Sequence, residues 1–211
     1  EEAGQRLARE LGGYANRDDV LVLGLPRGGV PVAYAVAKEL SAPLDVFIVR
    51  KVGVPGQPEL AMGAIASGGV QVKNARILTA VGLSDEEFDR EADREREELK
   101  RREKAYRGDH DPPKLENRVA ILVDDGLATG ASMRAAVEAV REAKPAEVVV
   151  AVGAAPRETC ASLGEEADKV VSVLTPAQFG SVGAWYEDFG QTTDDEVKEL
   201  LRKAWDDGPS G

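Results

Sequence analysis

Five short, uninterrupted apolar runs decide what this chain can fold into: "VLVLG" at 20–24, "LDVFIVR" at 44–50, "VAILVDD" at 119–125, "EVVVAVGA" at 147–154 and "KVVSVL" at 169–174. Each is too short for a typical helix and too continuous for a strand with one wet face, so each reads as a strand buried on both sides. Helical patterns at 31–40, 131–143 and 156–163 lie between them. Strands alternating with helices imply right-handed crossovers and a parallel sheet covered by helices on both faces, which is an α/β fold. Ligands of such sheets sit at the carboxyl ends of the strands, so the segments just after residues 24, 50, 123 and 174 are expected to converge on one cleft. A short helix at 3–11 precedes the first run, with Gly12 and Gly13 suited to a left-handed stop.

The run at 119–125 delivers two adjacent carboxylates, Asp124 and Asp125, and the loop "GLATGAS" then opens a helix. The small residues Ala128, Thr129, Gly130, Ala131 and Ser132 let backbone N–H groups approach an anion. The helix adds unpaired donors and its positive dipole end, worth about 0.3–2 kcal/mol per charge. The loop has no lysine to reach the outer phosphates of a nucleoside triphosphate, so a phosphate monoester fits it better. Asp124 and Asp125 accept hydrogen bonds, as the vicinal diol of a ribose would require if its 5-phosphate lay in the loop. A plain turn made by the two acids and Gly126 would leave the succession of strand, acids, small loop and helix without a reason. Two other segments admit two readings each. "LPRGG" at 25–29 is a tight turn, or it offers Arg27 and the amides of Gly28 and Gly29 to an anion; Arg50 and Lys51 end a strand, or they add positive charge to the same place.

"ILVDDGLATGAS" resembles the ribose-phosphate signature of type I phosphoribosyltransferases, the adenine-specific members especially. "LPRGG" resembles the family's pyrophosphate loop, and "VRKVG" at 49–53 resembles the adenine-type segment preceding its flexible loop. The resemblance covers 20–53 and 119–154. It implies a Rossmann-like parallel core with an inserted segment and a small C-terminal hood, Mg²⁺ as cofactor, and a homodimer. The implied reaction moves the 5-phosphoribosyl group of 5-phosphoribosyl 1-pyrophosphate (PRPP) to a nucleobase-like nitrogen acceptor and releases pyrophosphate. Asp124 and Asp125 would hold the ribose hydroxyls and residues 128–132 the 5-phosphate. Arg27, Gly28, Gly29, Arg50 and Lys51 would face pyrophosphate, and Asp124, Asp125, Arg27 and Lys51 would form the catalytic set. Such a displacement needs no enzyme nucleophile, only positioning and stabilisation of two developing charges. Mg²⁺ takes oxygen ligands and keeps several waters, which accounts for the lack of a dedicated metal motif. Water must be kept from the activated donor, and the Gly and Pro segment 53–60 is the candidate cover. The alternative on this fold is a non-catalytic regulatory protein that binds PRPP or a nucleotide. "GLPRGG" at 24–29 does not match the G-x-G-x-x-G of a dinucleotide-binding oxidoreductase.

The chain reads as a single domain over 1–211. Residues 52–117 form an insertion, with a hairpin turning at Gly68-Gly69 and a charged helix over 84–106 that carries a Ser84/Glu87 capping box and Glu97–Arg101 and Glu98–Arg102 pairs. Its narrow apolar stripe of Phe88, Ala92, Leu99 and Tyr106 suggests a solvated surface helix or a subunit interface. The segment 175–191 concentrates Phe179, Trp185, Tyr186 and Phe189 in a chain that is only 5% aromatic. It reads as a satellite core, or as a base-stacking hood loosely resembling that of the hypoxanthine-guanine enzymes. On the second reading Phe179, Trp185 and Tyr186 bind the base and Asp188 neighbours the magnesium. Ala128 and Gln178 stand where those enzymes carry an acid and a lysine, so the acceptor stays open. A formal charge of −11 disfavours nucleic acid as a partner. One cysteine, Cys160, and one histidine, His110, make neither a disulfide nor a zinc cage. The absence of a ~20-residue apolar run argues against a membrane span. With no signal-peptide pattern at Glu1-Glu2, a cytoplasmic protein is expected, and "GPSG" at 208–211 reads as a disordered tail.

Overall fold

The computed structural model describes residues 2–207, and the expected tail at 208–211 lies outside the described residues. In chain order the elements are α1 (Glu2–Glu10), β1 (Val20–Gly24), α2 (Gly29–Leu40), β2 (Leu44–Val46), β3 (Val49–Val54), β4 (Gln57–Ala66), β5 (Val70–Lys73), α3 (Ala75–Val81), α4 (Asp85–Arg107), β6 (Val119–Gly126), α5 (Ala131–Glu142), β7 (Glu147–Ala154), α6 (Arg157–Leu163), β8 (Lys169–Leu174) and α7 (Asp194–Asp207). Alternate residues of the apolar runs enter opposite layers. Val20 and Val22 pack into one core with Leu7, Val36 and Leu201, and Leu21 and Leu23 into a second with Met133 and Val137. Burial on both faces is why β1, β6 and β7 show no polar alternation, whereas β8, expected to be buried likewise, is an edge strand in which only Val171 is buried.

The main sheet has the order β2-β1-β6-β7-β8, and every pairing in it is parallel. From β1 the chain moves outward to β2, and β6 then pairs with the other edge of β1. Strand order therefore reverses between β1 and β6. At such a switch point the two following loops diverge to opposite faces and leave a crevice. The expected α/β class and parallel sheet are both present.

A second, three-stranded antiparallel sheet, β3-β4-β5, is built from the insertion. Its tight turn over Ser67–Gly69 joins β4 to β5 as the Gly68-Gly69 pair suggested, and both glycines have positive φ. Helix α4 starts at the expected capping box, Ser84 with Glu87. Its apolar stripe is neither solvated nor free. Phe88, Ala92 and Leu99 are buried with Val52, Met62 and Ile65 of the second sheet. A β-carbon at Gly63 would strike the Phe88 ring, so this glycine lets the ring lie flat on β4. Burying that ring contributes about 1.5–3 kcal/mol.

Several sequence expectations need correction. The run 44–50 is two strands, not one: β2 ends at Val46, and β3 begins at Val49 in the other sheet. The break is held by Phe47 N–H donating to Gly24 O at 3.0 Å and by Ile48 and Ser67 exchanging hydrogen bonds. Residue 50 is thus not a strand end in the main sheet. The segment 53–60, the candidate cover, is the tip of the β3–β4 hairpin, where Val54 pairs with Gln57 across a turn containing Gly56 at φ 80. Gly12 opens a 3-10 turn, Gly12–Tyr14, in place of a left-handed stop. On α4, Glu98 takes both Arg101 and Arg102, while Glu97 pairs with Lys100. Helices α3 and α7 were not foreseen, although Thr193 and Glu196 form a capping box in front of the buried Val197 and Leu201. His110 is a loop residue stacked on Trp205, with ring centroids 4.2 Å apart. Among the described residues no helix is long and apolar enough to cross a membrane.

Candidate active site

The crevice between β1 and β6 brings together the two loops that the sequence singled out. Leu25 N–H donates to Val123 O at 2.9 Å, and Gly29 N–H donates to Leu25 O at 3.0 Å, so the loop 25–29 folds back onto the end of β6. The Pro26–Arg27 peptide in this loop is cis. Both glycines are crowded. A β-carbon on Gly28 would collide with the Asp125 carboxylate, and one on Gly29 would lie 2.6 Å from Val123 O and 3.0 Å from Asp124 Oδ1. Gly29 is therefore required by the approach of the β6 backbone, which a tight turn alone would not demand, while Gly28 leaves room for the Asp125 carboxylate.

Asp124 and Asp125 are both half-buried at the end of β6, and Asp124 Oδ1 accepts from Asp125 N–H at 2.9 Å. Burial holds the Asp124 carboxyl well above the usual carboxylate range, with the Asp125 charge adding to it; burial raises Asp125 as well. Two carboxylates this close, with no ion pair to a cation among the described residues, are prepared to accept hydrogen bonds or a metal ion. Among the described residues there is no cluster of three or more His, Cys, Asp or Glu that would cage a metal.

The loop 127–130 follows β6 and opens α5. Gly130 adopts φ 73 as the N-cap of α5, and Ala128 and Thr129 are exposed. The backbone amides of Thr129, Gly130, Ser132 and Met133 find no acceptor among the described residues, while Ala131 N–H leans on Thr129 Oγ1 at 3.4 Å. Unpaired donors at a helix N-terminus are suited to an anion. Residues 128–132 thus lie just beyond the carboxylate pair, in the order expected.

The basic residues are less free than expected. Arg50 is paired with Glu95 of α4, its Nε donating to Oε2 at 2.7 Å and its Nη2 reaching the same oxygen, so its charge is already compensated. Lys51, on the opposite face of β3, is exposed and makes no ion pair with any described residue. Arg27 lies 3.9 Å from Asp194, at the start of α7, and Asp194 also accepts from Tyr106 Oη at 2.6 Å. Glu95 and Asp194 are the partners that sequence reasoning missed, because each is brought in by an element with no motif of its own.

The hood aromatics line two grooves. Phe179 stacks on Trp185 at 6.4 Å and lines a groove with Ala128, Arg157 and Pro176. Trp185, Tyr186 and Asp188 line a different groove, against Glu2 and Arg6 of α1 and Gly153 of β7. Tyr186 has another task. Its hydroxyl donates to Asp125 O at 2.5 Å, over Gly153, where a β-carbon would displace it. Burial, with the charges of Asp125 and Asp124 behind it, pushes the Tyr186 phenol up. Val182 packs on Gly126 in the same way. The hood is therefore fastened to the carboxylate loop. Tyr186→Phe, which leaves that carbonyl without its donor, is expected to cost about 1–3 kcal/mol. A urea melt should show a lower midpoint at unchanged slope, and a midpoint equal to wild type would show that the hydroxyl contributes nothing.

Comparison with known proteins adds an independent line. A sequence-family profile described as the phosphoribosyl transferase domain matches residues 1–183. Two curated Mycobacterium tuberculosis sequences, from strains CDC 1551 and H37Rv, are each provisionally named a phosphoribosyl transferase. Both are 46% identical over 203 residues, covering 96% of this chain and 46% of theirs. The chain spans about half the length of the curated relatives it matches. The crystal structure of the protein TT1426 from Thermus thermophilus is similar over 95% of both chains, with a TM-score of 0.85 and 44% identity.

Proposed function

This chain belongs to the phosphoribosyl transferase domain family, and from that premise we propose that it transfers the 5-phosphoribosyl group of PRPP to a nitrogen heterocycle and releases pyrophosphate. The observation that carries the reading is the crevice at the strand-order reversal. There a glycine pair is pressed against two half-buried carboxylates, and a loop of unpaired amides follows the carboxylates in the chain. On this reading the donor's 5-phosphate lies on residues 128–132, its ribose hydroxyls on Asp124 and Asp125, and its pyrophosphate against Arg27, Lys51 and the amides of Gly28 and Gly29.

In the reaction the bond from the anomeric carbon to pyrophosphate oxygen breaks, the bond to acceptor nitrogen forms, and the acceptor's proton leaves. Positive charge grows on the ribose beside the two carboxylates, and negative charge grows on the leaving group beside Arg27 and Lys51. Preorganised groups of opposite sign lower the barrier because they need not reorient as the charges appear. A magnesium ion fits the donor set, since carboxylate oxygens and the donor's own oxygens satisfy it together with water and no protein cage is needed. When bound, it would neutralise pyrophosphate; Asp124 and Asp125 are the chain's candidate ligands. Tyr186, read from sequence as a base contact, also supports Asp125 through its hydroxyl. Phe179, beside the phosphate loop, is the better stacking candidate.

A second reading, a regulatory protein that binds PRPP or a nucleotide without turning it over, draws on the pairing of Arg50 with Glu95, which withdraws one basic group from the leaving group. One assay separates the two. The chain is incubated with labelled PRPP, Mg²⁺ and a panel of purine, pyrimidine and simpler nitrogen bases, with release of pyrophosphate and binding of donor measured in parallel. Acceptor-dependent release is the expected result. Binding without release selects the regulatory reading, and absence of both removes the proposal.

A further inference from the structure

The carbonyls of the phosphate loop are held from behind by two side chains that no motif predicted. Thr159 of α6 donates from Oγ1 to Ala128 O at 3.2 Å. Arg134 of α5 donates from Nη2 to Thr129 O at 3.2 Å. Both side chains are themselves fixed. Thr159 is only 7% exposed, and its methyl lies where a β-carbon on Gly130 would come within 2.8 Å. Arg134 also donates to Ser162 Oγ at 2.8 Å and lies 3.5 Å from Glu166 Oε1, which ties it to α6 and the turn after it.

In a planar trans peptide the carbonyl of one residue and the N–H of the next point in opposite directions. Holding the Ala128 carbonyl on Thr159 therefore turns the Thr129 amide away from α6. Holding the Thr129 carbonyl on Arg134 turns the Gly130 amide away from that guanidinium. These two amides are among those without an acceptor among the described residues. An anion loop works by having its dipoles aimed before the ligand arrives, because a loop free to rotate its peptides must give up that freedom on binding.

We propose that Thr159 and Arg134 are positioning residues that set the direction of the Thr129 and Gly130 amides, and through them the affinity of this chain for a sugar 5-phosphate. The inference rests on the phosphoribosyl reading of the loop, and the experiment keeps the two apart. Dissociation constants for ribose 5-phosphate and, separately, for pyrophosphate with Mg²⁺ are measured by calorimetry for wild type, Thr159→Val, Thr159→Ser and Arg134→Met, each checked for an unchanged circular dichroism spectrum. Valine keeps the methyl on Gly130 and loses only the hydroxyl; serine does the reverse. Loss of one such hydrogen bond corresponds to about a fivefold to tenfold change in affinity. Thr159→Val and Arg134→Met are expected to weaken ribose 5-phosphate by that factor and leave pyrophosphate unchanged, with Thr159→Ser close to wild type. Equal weakening by serine and valine, a parallel loss for pyrophosphate, or unchanged ribose 5-phosphate affinity in Thr159→Val would each overturn the positioning role. A wild-type chain that binds no ribose 5-phosphate would overturn the phosphoribosyl reading itself.

Discussion

Asp124→Asn is expected to melt at a higher temperature than wild type at pH 7 while losing about 10²–10³-fold in turnover, the usual cost of removing one group that faces developing charge. Both halves follow from where the carboxylate sits. Burial and the neighbouring Asp125 charge raise the folded-state pKa of Asp124 above its unfolded value. A carboxyl shifted in that direction binds its proton more tightly in the folded protein, so its contribution is most favourable below about pH 4 and is lost as pH rises toward the folded value. Asparagine removes that loss and still accepts from the Asp125 amide, the hydrogen bond that Asp124 accepts among the described residues. The gain should therefore be absent near pH 4 and grow toward neutrality, each kcal/mol relieved appearing as about 2–4 °C in Tm. Thermal melts at pH 4 and pH 7, run beside the pyrophosphate-release assay, check both. A variant that melts lower at pH 7, or one that turns over normally, contradicts the picture of a site that holds two carboxylates together for a ligand's sake.

What the sequence made legible was whatever depended on local pattern. The five apolar runs marked both faces of the sheet, and the succession Asp124, Asp125, small loop, α5 marked the crevice, since each residue there acts through its own backbone or its immediate neighbour. What crowds Gly28 and Gly29, the Asp125 carboxylate and the β6 backbone, is by contrast a contact nearly a hundred positions away. What failed was long-range. The division of 44–50 between two sheets depends on Ser67, and the engagement of Arg50 depends on Glu95 of α4; neither pairing leaves a periodic trace. Charge on a basic residue says nothing about whether a carboxylate from a distant helix has already claimed it. The aromatic segment 175–191 shows the same limit: composition announced that Tyr186 matters, but only packing distinguishes a ring that stacks on a ligand from a hydroxyl that braces Asp125.

Replacing Arg107 by methionine should be the most damaging single change outside the crevice, lowering stability by about 3–5 kcal/mol, the range for stripping one partner from a buried ion pair. Arg107 and Asp45 are 4% and 5% exposed, and their 2.8 Å contact joins the last turn of α4 to β2 of the main sheet. Arg107 also donates to Val46 O at 2.6 Å and to Glu103 at 2.8 Å, so every oxygen that faces it is satisfied through it. Burial already raises the Asp45 carboxyl despite the guanidinium beside it. Without that guanidinium the folded-state value rises further, and the deficit of the variant should shrink as pH is lowered toward about 4, where the carboxyl is protonated in either state. Asp45→Asn combined with Arg107→Met should recover much of the loss, because a neutral amide can still accept the Val46 N–H bond that Asp45 accepts. Urea titrations of wild type, single and double variants at two pH values give the result; a single variant within about 1 kcal/mol of wild type would show the pair to be dispensable. The consequence reaches the crevice through α4, which carries both Glu95, the partner of Arg50, and Tyr106, the partner of Asp194 beside Arg27. One buried pair at the end of a long charged helix thus determines where two of the candidate pyrophosphate-binding arginines are held.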